Sequence, residues 1–386
     1  MASKKFTASE WKKILALAED SAEEFGLPAR RSKSVVLGTF NIRKLGEVKK
    51  RSPGAWDFLA FLCRRFDFLA IQEVMDNLEG VRALKERMRP KTGLVISDVT
   101  GVFPGDRGNA ERLEFLFDWS RVERTELASD ITYDRSKVVR TLFDHRADFR
   151  ASWDDHLRDL GEWEEKAERA ESAGKKKPAR PKIVLPRFLT FIRQPHCASF
   201  RVPGPNGATP YEFLAVNAHL LYGVNERERK WEFDALIEWL TLRAKQAGRT
   251  YHKNFLMMGD CNLEFEKAEV KREEVDQFLR DLNRKKLKSG KAAKANFPLL
   301  TPHPVRGVLR TNARLNQTYD QIALFAHDKR LPGSTANKTA GENGADGYDY
   351  GVFRFVDLFA EALRGAPFSK LKESGQDYIY ARTEHT

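Results

Sequence analysis

The chain has 386 residues, of which 41% are hydrophobic and 11% aromatic, which excludes a disordered protein and is enough for a large core. Lysine and arginine outnumber aspartate and glutamate by 67 to 55, so the net charge of +12 favours anionic partners: nucleic acid, phospholipid head groups or phosphorylated small molecules. The three cysteines cannot form a disulfide framework, and neither a signal peptide nor a transmembrane run is evident, so we expect a cytoplasmic protein with no membrane partner.

The amino-terminal residues 1–30 are predicted to form a helical extension, because Thr7 and Glu10 have capping-box spacing and an apolar stripe follows them. From Val35 onward, short apolar runs typical of strands alternate with segments of helical pattern. The predicted strands are 35–41, 67–72, 93–97, 113–118, 187–193, 211–219 and 255–260, and the predicted helices are 55–65, 78–89, 226–245 and 270–282. Most strand runs are continuously apolar, which indicates burial on both faces and a mixed α/β core with helices outside the sheets.

Residues 31–386 are predicted to form one domain that carries three additional segments. Residues 145–182 are charged and helical in composition and end in the basic run KKKPARPK, and residues 266–296 contain a second basic run, RKKLKSGKAAK. Residues 328–349 are rich in Gly, Asn and Asp and are predicted to form a mobile loop. The two basic runs are compatible with a solvated surface and with contacts to phosphate groups.

Polar residues recur where apolar strands end. A carboxylate, amide or imidazole inside an apolar run costs free energy unless it is paired, whereas at the edge of a sheet it can meet neighbours from other strands. One such residue is typical of a turn, but six in similar positions suggest a site. The six are Asn41, Glu73, His219, Asp260, Asn262 and Asp320.

The residue types at these positions suit a hard divalent cation, because Mg²⁺ prefers carboxylate and amide oxygens and retains several waters. Zinc motifs such as CxxC and HExxH do not occur, and neither do phosphate-binding glycine loops or the GxSxG nucleophile motif. The remaining class of chemistry is metal-assisted hydrolysis of a phosphate ester, with histidine and aspartate handling protons.

The sequence resembles the endonuclease/exonuclease/phosphatase superfamily, and within it the deoxyribonuclease I branch and its bacterial relatives. Two blocks, FNIRxxGE and IQEV, are specific to the nuclease branch, and GDxN follows in the expected order. The blocks that carry the resemblance are TFNIRKLGEVKK (39–50), FDFLAIQEVMD (66–76), ERLEFLFDWSRV (111–122), PRFLTFI (186–192), FLAVNAHL (213–220), FLMMGDCNLEF (255–265) and TYDQIAL (318–324).

The resemblance implies a four-layered αββα sandwich, in which two packed mixed β-sheets are flanked by helices and share one active site at the strand ends. It further implies that Glu73 is the principal ligand of Mg²⁺, with Mn²⁺ as an alternative, and that Asn41 assists in binding the metal or the phosphate. Arg187 matches an arginine that contacts the phosphate, and Asn262 would hold a phosphate oxygen.

The same resemblance assigns the proton-handling groups. Glu111 would orient His219, and Asp260 would position or deprotonate the attacking water. Asp320 would normally orient a second catalytic histidine near the end of the chain. The implied reaction is in-line attack of water on phosphorus, with cationic groups stabilising charge on the equatorial oxygens.

The sequence departs from the family pattern at its carboxyl end and at two DNA-contacting positions. The family's final strand begins with Ser-Asp-His, but this chain ends in YARTEHT, so either Glu384 and His385 substitute or the chain is truncated before that strand, and we expect the latter or an atypical end. Met75 and Asn109 replace an arginine and a tyrosine that contact DNA in the secreted deoxyribonucleases. The sequence therefore supports the phosphodiesterase class more strongly than it supports duplex DNA as the preferred substrate.

The sequence therefore predicts a Mg²⁺-dependent phosphodiesterase, foremost a DNA endonuclease whose partner is DNA. One alternative is a phosphatase or phospholipase of the same superfamily acting on inositol phosphates or sphingomyelin. TYDQI stands where inositol phosphatases carry Cys-Asp-Arg, which disfavours this alternative. Another alternative, motivated by the missing Ser-Asp-His strand, is a catalytically weak nucleic-acid-binding module.

Overall fold

Two β-sheets lie face to face at the centre of the molecule. The computed structural model describes residues 5–31, 34–100, 110–204, 208–223, 226–246, 248–263, 268–284, 294–327, 330–342 and 347–383. The first sheet has the strand order β1-β2-β4-β3, formed by β1 (Leu37–Leu45), β2 (Phe68–Met75), β3 (Thr92–Ile96) and β4 (Glu111–Asp118). The second has the order β5-β6-β7-β8-β10-β9, formed by β5 (Glu123–Asp130), β6 (His196–Val202), β7 (Tyr211–His219), β8 (Phe255–Asp260), β9 (Ala295–Asn296) and β10 (Asp320–Phe325).

Helices cover both outer faces of the paired sheets and also form two peripheral groups, one of α4 and α5 and one of α1, α8 and α9. Their bounds are α1 (Ala8–Ser21), α2 (Pro53–Cys63), α3 (Glu79–Arg87), α4 (Arg135–Asp144), α5 (Arg146–Ser172), α6 (Glu226–Lys245), α7 (Ala268–Arg284), α8 (Phe355–Arg364) and α9 (Glu373–Thr383). Among the described residues, no helix combines the length and the apolar character that a membrane crossing requires.

The core is divided into layers by the two sheets. Between the sheets, Phe68 of β2 packs edge-on against Phe200 of β6 and Phe213 of β7. The outer face of the first sheet is covered by apolar side chains of α2 and α3, and that of the second sheet by those of α6 and α7. The layers are therefore helix, sheet, sheet and helix, and the predicted αββα sandwich is confirmed.

The predicted strand at 187–193 is wrong, because that segment has no strand pairing in the structure. Its apolar side chains Phe188 and Phe191 pack on Tyr133. Instead of pairing with a strand, the backbone N–H groups of Leu185 and Ile192 donate to carboxylates of α6. The strand that follows is β6, which the sequence analysis missed. The analysis also missed β5, whose exposed and polar positions do not form an apolar run.

The charged segment predicted at 145–182 forms part of a helical arm. The arm consists of α4, α5 and the chain that returns along α5, where the Trp163 indole N–H donates to the carbonyl of Pro178 over 3.0 Å. A cleft of about 1030 Å³ separates α5 from the start of α6. In the predicted loop 328–349, residues Ser334–Thr339 form a 3₁₀ helix. Most of the second basic run, 285–293, lies outside the described residues.

The last described elements are helices rather than a sheet strand. Helices α8 and α9 pack with α1 in a shared apolar cluster that includes Trp11, Phe58 and Phe359. The predicted cap of α1 is present, since the Thr7 hydroxyl accepts from the Glu10 backbone N–H and the Glu10 carboxylate accepts from the Thr7 N–H. Glu384 and His385 lie outside the described residues.

A buried carboxyl on β4 predicts a pH dependence of stability. Glu114 is 1% exposed, its Oε2 atom has no hydrogen-bond partner, and burial raises the pKa of its carboxyl to about 8. Because the carboxyl of an unfolded chain ionises near pH ~4.3, its contribution to stability is fully present below that pH and is lost as the pH rises through 8.

We expect Glu114→Gln to remove most of this loss, because an amide does not ionise. Urea unfolding at pH 5 and pH 9 measures the effect: the wild type should lose free energy of unfolding between the two pH values, and the variant should lose less. Equal losses in the two proteins would contradict this origin of the pH dependence.

Candidate active site

The two sheets bring the predicted polar residues to one edge. In the first sheet, Asn41 and Glu73 lie in the carboxyl-terminal halves of the parallel strands β1 and β2. In the second sheet, His219 ends β7, Asp260 ends the parallel β8, and Asp320 begins the antiparallel β10. These three residues are direct Cα partners across the ladder, His219 with Asp260 and Asp260 with Asp320. The strand directions therefore place all five residues at the same end of the sandwich.

Asn41 joins the two sheets at this edge. Its Nδ2 atom donates to Glu73 Oε1 over 3.1 Å and to Asp260 Oδ2 over 3.0 Å. The other carboxylate oxygen of Glu73 accepts from the backbone N–H of Lys44 over 3.1 Å. The Oδ1 atom of Asn41 is buried and has no hydrogen-bond partner. An amide oxygen that is buried without a donor suits a bound cation or a donor from a ligand.

These donors fit Mg²⁺ better than a metal that needs a complete protein cage. Within the part of the chain that the structure describes, no group of three or more His, Cys, Asp and Glu side chains is arranged to hold a metal ion. Mg²⁺ is commonly held by one or two carboxylates, with waters and substrate phosphate completing the octahedron. The Glu73 carboxylate and the orphaned Asn41 amide oxygen match that requirement.

Arg51 fixes the backbone beside this cluster and was missed by the sequence analysis. Its guanidinium donates to the carbonyl oxygens of Arg43 and Lys44, over 2.5 and 3.2 Å. Burial lowers the pKa of Arg51 to about 10, and the negative charge of Glu73 opposes that shift. Lys44 and Glu73 lie where the pairing of β1 with β2 shifts register, and both have positive φ angles, 51° and 58°, so the backbone here needs such support.

On the opposite side of the site, Glu111 lies between a histidine and an arginine. Its Oε2 atom is 3.1 Å from Nδ1 of His219, which is 4% exposed. The guanidinium of Arg193 donates to both carboxylate oxygens, from Nε over 2.6 Å and from Nη2 over 3.2 Å. Burial alone would raise the pKa of Glu111, but His219 and Arg193 outweigh it and lower the pKa. Glu111 therefore stays ionised, with Oε2 at ion-pair distance from Nδ1 of His219, which leaves Nε2 for other partners.

The turn after β8 is fixed by its own polar groups. The backbone N–H of Asn262 donates to Asp260 Oδ1 over 2.9 Å, and Nδ2 of Asn262 donates to the carbonyl of Leu220 over 2.9 Å. Arg229 of α6 donates to the carbonyl of Asn262 over 2.7 Å. Asn262 has a φ of 51°, which asparagine tolerates better than most residues. The arrangement ties β8 to the end of β7 at the site.

Asp320 faces Asp260 across the ladder. Burial and the negative charge of Asp260 raise the pKa of Asp320 well above its usual value, while Thr311 opposes the shift. Thr311 also accepts from the Asp320 backbone N–H over 3.0 Å. Because His385 lies outside the described residues, its predicted role beside Asp320 stays a prediction, and Asn109 lies outside them as well.

Comparisons with known proteins give one related sequence and many related structures. No protein-family model matches the chain. A protein named deoxyribonuclease from Thioalkalivibrio sp. (strain K90mix) is 26% identical over 246 residues, which are 61% of this chain and 48% of that protein. The chain thus matches about half the length of this curated relative.

Solved structures align with about three quarters of the chain. An endonuclease/exonuclease/phosphatase family protein from Bacteroides thetaiotaomicron is 12% identical, covering 75% of this chain and 81% of its own, with a TM-score of 0.41. The human Nocturnin catalytic domain is 14% identical with the same coverages and a TM-score of 0.39. The chain resembles the endonuclease/exonuclease/phosphatase proteins. The Bacteroides thetaiotaomicron protein and the deoxyribonuclease carry the names of the family and branch that the sequence motifs resemble.

The phosphate contact predicted for Arg187 stays a prediction, and a second arginine, Arg193, lies at the site. Arg187, the residue matched by sequence, lies beside the helical arm, with Nη2 3.7 Å from Asp148. Arg193 is the arginine that lies against Glu111. The signal that could have identified it is its position just before β6, which the incorrect strand at 187–193 concealed. The structure does not place Arg187 against Glu111 or His219.

Proposed function

We propose that the chain is a Mg²⁺-dependent phosphodiesterase, and most specifically a DNA endonuclease that hydrolyses phosphodiester bonds by in-line attack of water. The observation that carries the proposal is that two groups of residues lie at one edge of the sandwich: the hydrogen-bonded cluster of Asn41, Glu73 and Asp260, and the Glu111–His219 ion pair. Oxygen donors for a hard cation and groups that can exchange protons are the two components such a hydrolysis needs. The deoxyribonuclease relative supports the choice of DNA.

Mg²⁺, or Mn²⁺ in its place, would be held by the Glu73 carboxylate and the Asn41 amide oxygen. When bound, the cation would neutralise charge that develops on the phosphate oxygens. The backbone N–H of Lys44 keeps the Glu73 carboxylate in place, and Arg51 supports this irregular part of β1 through the carbonyls of Arg43 and Lys44. Arg193 donates from Nε and Nη2 to Glu111 and from Nη1 toward the carbonyls of His219 and Leu220, so we assign it to holding Glu111.

Protons would be handled by two residues of the second sheet. Asp260 would position or deprotonate the attacking water, since Oδ1 is held by the Asn262 N–H and Oδ2 by Asn41. His219, oriented through Nδ1 by Glu111, presents Nε2 as the atom that exchanges a proton. Asn262 already donates from Nδ2 to Leu220, which leaves its second amide hydrogen for a phosphate oxygen.

The charge of the chain supports a polyanionic substrate. The net charge is +12, and four exposed cations follow Asn41 along the chain: Arg43 and Lys44 within β1, and Lys49 and Lys50 shortly after it. Exposed cations beside a phosphodiesterase site attract nucleic acid in a salt-dependent way. We therefore propose DNA as the partner of this edge.

A substrate panel in Mg²⁺ tests the proposal against its alternatives. Supercoiled plasmid, an inositol phosphate and sphingomyelin are each incubated with the chain, and cleavage is measured by gel or by release of phosphate or phosphocholine. We expect nicking of the plasmid and little turnover of the other substrates. Turnover of the inositol phosphate or sphingomyelin without nicking would favour the phosphatase or phospholipase alternative, and plasmid binding with no turnover of any substrate would favour a binding module.

A further inference from the structure

A carboxylate on α6 joins the two segments that flank the Glu111–His219 pair. Glu232 is 5% exposed, and each of its oxygens accepts one backbone N–H over 2.6 Å. Oε1 accepts from Ile192, in the segment before β6, and Oε2 accepts from Leu221, in the segment after β7. The two segments are not β-ladder neighbours at these residues, so the side chain supplies the connection that a sheet would otherwise make.

Each of these segments carries a residue of the site. Ile192 immediately precedes Arg193, whose guanidinium donates to the Glu111 carboxylate, and Leu221 lies two residues after His219. Arg193 also approaches the carbonyl oxygens of His219 and Leu220, at 3.5 and 3.4 Å. The relative position of Arg193 and His219 therefore depends on the backbone that Glu232 holds.

We propose that Glu232 is a positioning residue: by binding both backbone segments it sets the register of Arg193 and His219, so that Glu111 meets the imidazole. The claim that Glu232 positions Arg193 and His219 does not depend on the reaction, whereas the expected loss of kcat rests on the proposed function. Only a carboxylate offers a hydrogen-bond acceptor on both terminal atoms of the side chain. A glutamine keeps one acceptor and turns an amide N–H against the other backbone N–H.

Glu228, one turn earlier on α6, provides a matched control. Its Oε1 atom accepts from the Leu185 N–H over 2.6 Å, in the same segment as Ile192 but eight residues before Arg193. Glu228→Gln disturbs the same helix and the same type of contact without acting on the residues beside the site. It therefore distinguishes a general destabilisation of α6 from a displacement of His219 relative to Arg193.

The test compares Glu232→Gln, Glu228→Gln and wild type by NMR of the His219 ring and by steady-state kinetics on plasmid DNA. We expect Glu232→Gln alone to shift the His219 resonances and to lower kcat by about 10- to 100-fold with little change in KM, because misplacing a reacting group by 1 Å can cost ~10²-fold. The melting temperatures of the variants report whether both remain folded.

Three outcomes decide the proposal. A shifted His219 signal and a selective loss of kcat in Glu232→Gln support it. Unchanged His219 resonances in folded Glu232→Gln overturn it, and so do equal effects of the two variants on the resonances and on kcat. If wild type does not cleave DNA, the proposed function fails, while the NMR comparison still decides whether Glu232 positions His219.

Discussion

Replacing Glu73 by glutamine is expected to lower the rate of Mg²⁺-dependent plasmid nicking by about 10³-fold, since a metal ion contributes several kcal/mol of charge stabilisation and each 1.36 kcal/mol is tenfold in rate. The variant keeps the shape of the side chain and one acceptor for the Lys44 N–H, but it removes the negative charge that attracts the cation and the second acceptor, which faces Nδ2 of Asn41. Initial rates from gel densitometry, measured over a range of Mg²⁺ concentrations, give the comparison.

Glu79→Gln is the matched control for this prediction. Glu79 begins α3 and is exposed, and its carboxylate accepts from the backbone N–H of Val48 at 3.4 Å. Its variant should nick plasmid at nearly the wild-type rate. If Glu73→Gln and Glu79→Gln were equally active, Glu73 would not be the metal ligand and the metal site would have to lie elsewhere.

Replacing His219 by glutamine is expected to lower kcat by about 10²- to 10⁴-fold, the range in which a general acid–base group contributes. Glutamine can still donate toward Glu111, but it cannot take up and release a proton at the position of Nε2. KM for plasmid should change much less than kcat, because the substitution leaves the basic surface intact. The measurement is steady-state kinetics at saturating Mg²⁺.

His327→Gln serves as the control for a histidine of the same sheet. His327 follows the other end of β10, where its Nε2 atom lies 2.7 Å from the carbonyl of Ala244. A variant of His327 that loses as much kcat as His219→Gln would show that the loss comes from the sheet rather than from the site.

The sequence predicts much of the site because strand ends carry its polar residues. The apolar runs of β7 and β8 have the bounds that the sequence predicts, so His219 and Asp260 are placed by a pattern that a single sequence contains. The αββα layering follows from the same continuous runs and from the family resemblance. Asn41 and Glu73 meet because β1 and β2 are parallel neighbours in which Asn41 pairs with Gln72, although both strands continue past the polar residues at which the sequence suggested their ends.

Arg193 and Glu232 could not be predicted in the same way. The apolar segment before β6 has the composition of a strand, yet its backbone N–H groups bind the side chains of Glu228 and Glu232 instead of a neighbouring strand. Such tertiary acceptors have no local sequence signal, so Arg193, at the end of the segment, was not recognised as a partner of Glu111. Long-range side-chain contacts override local pattern at this place.

Nicking of supercoiled plasmid by the wild-type chain in Mg²⁺ and in EDTA tests whether the site depends on a metal, with Glu73→Gln purified identically to reveal contaminating nucleases. We expect nicking in Mg²⁺ that EDTA abolishes and that Glu73→Gln lacks. Nicking that persists in EDTA, or that Glu73→Gln performs as fast as wild type, would contradict a metal-dependent site built on Asn41 and Glu73.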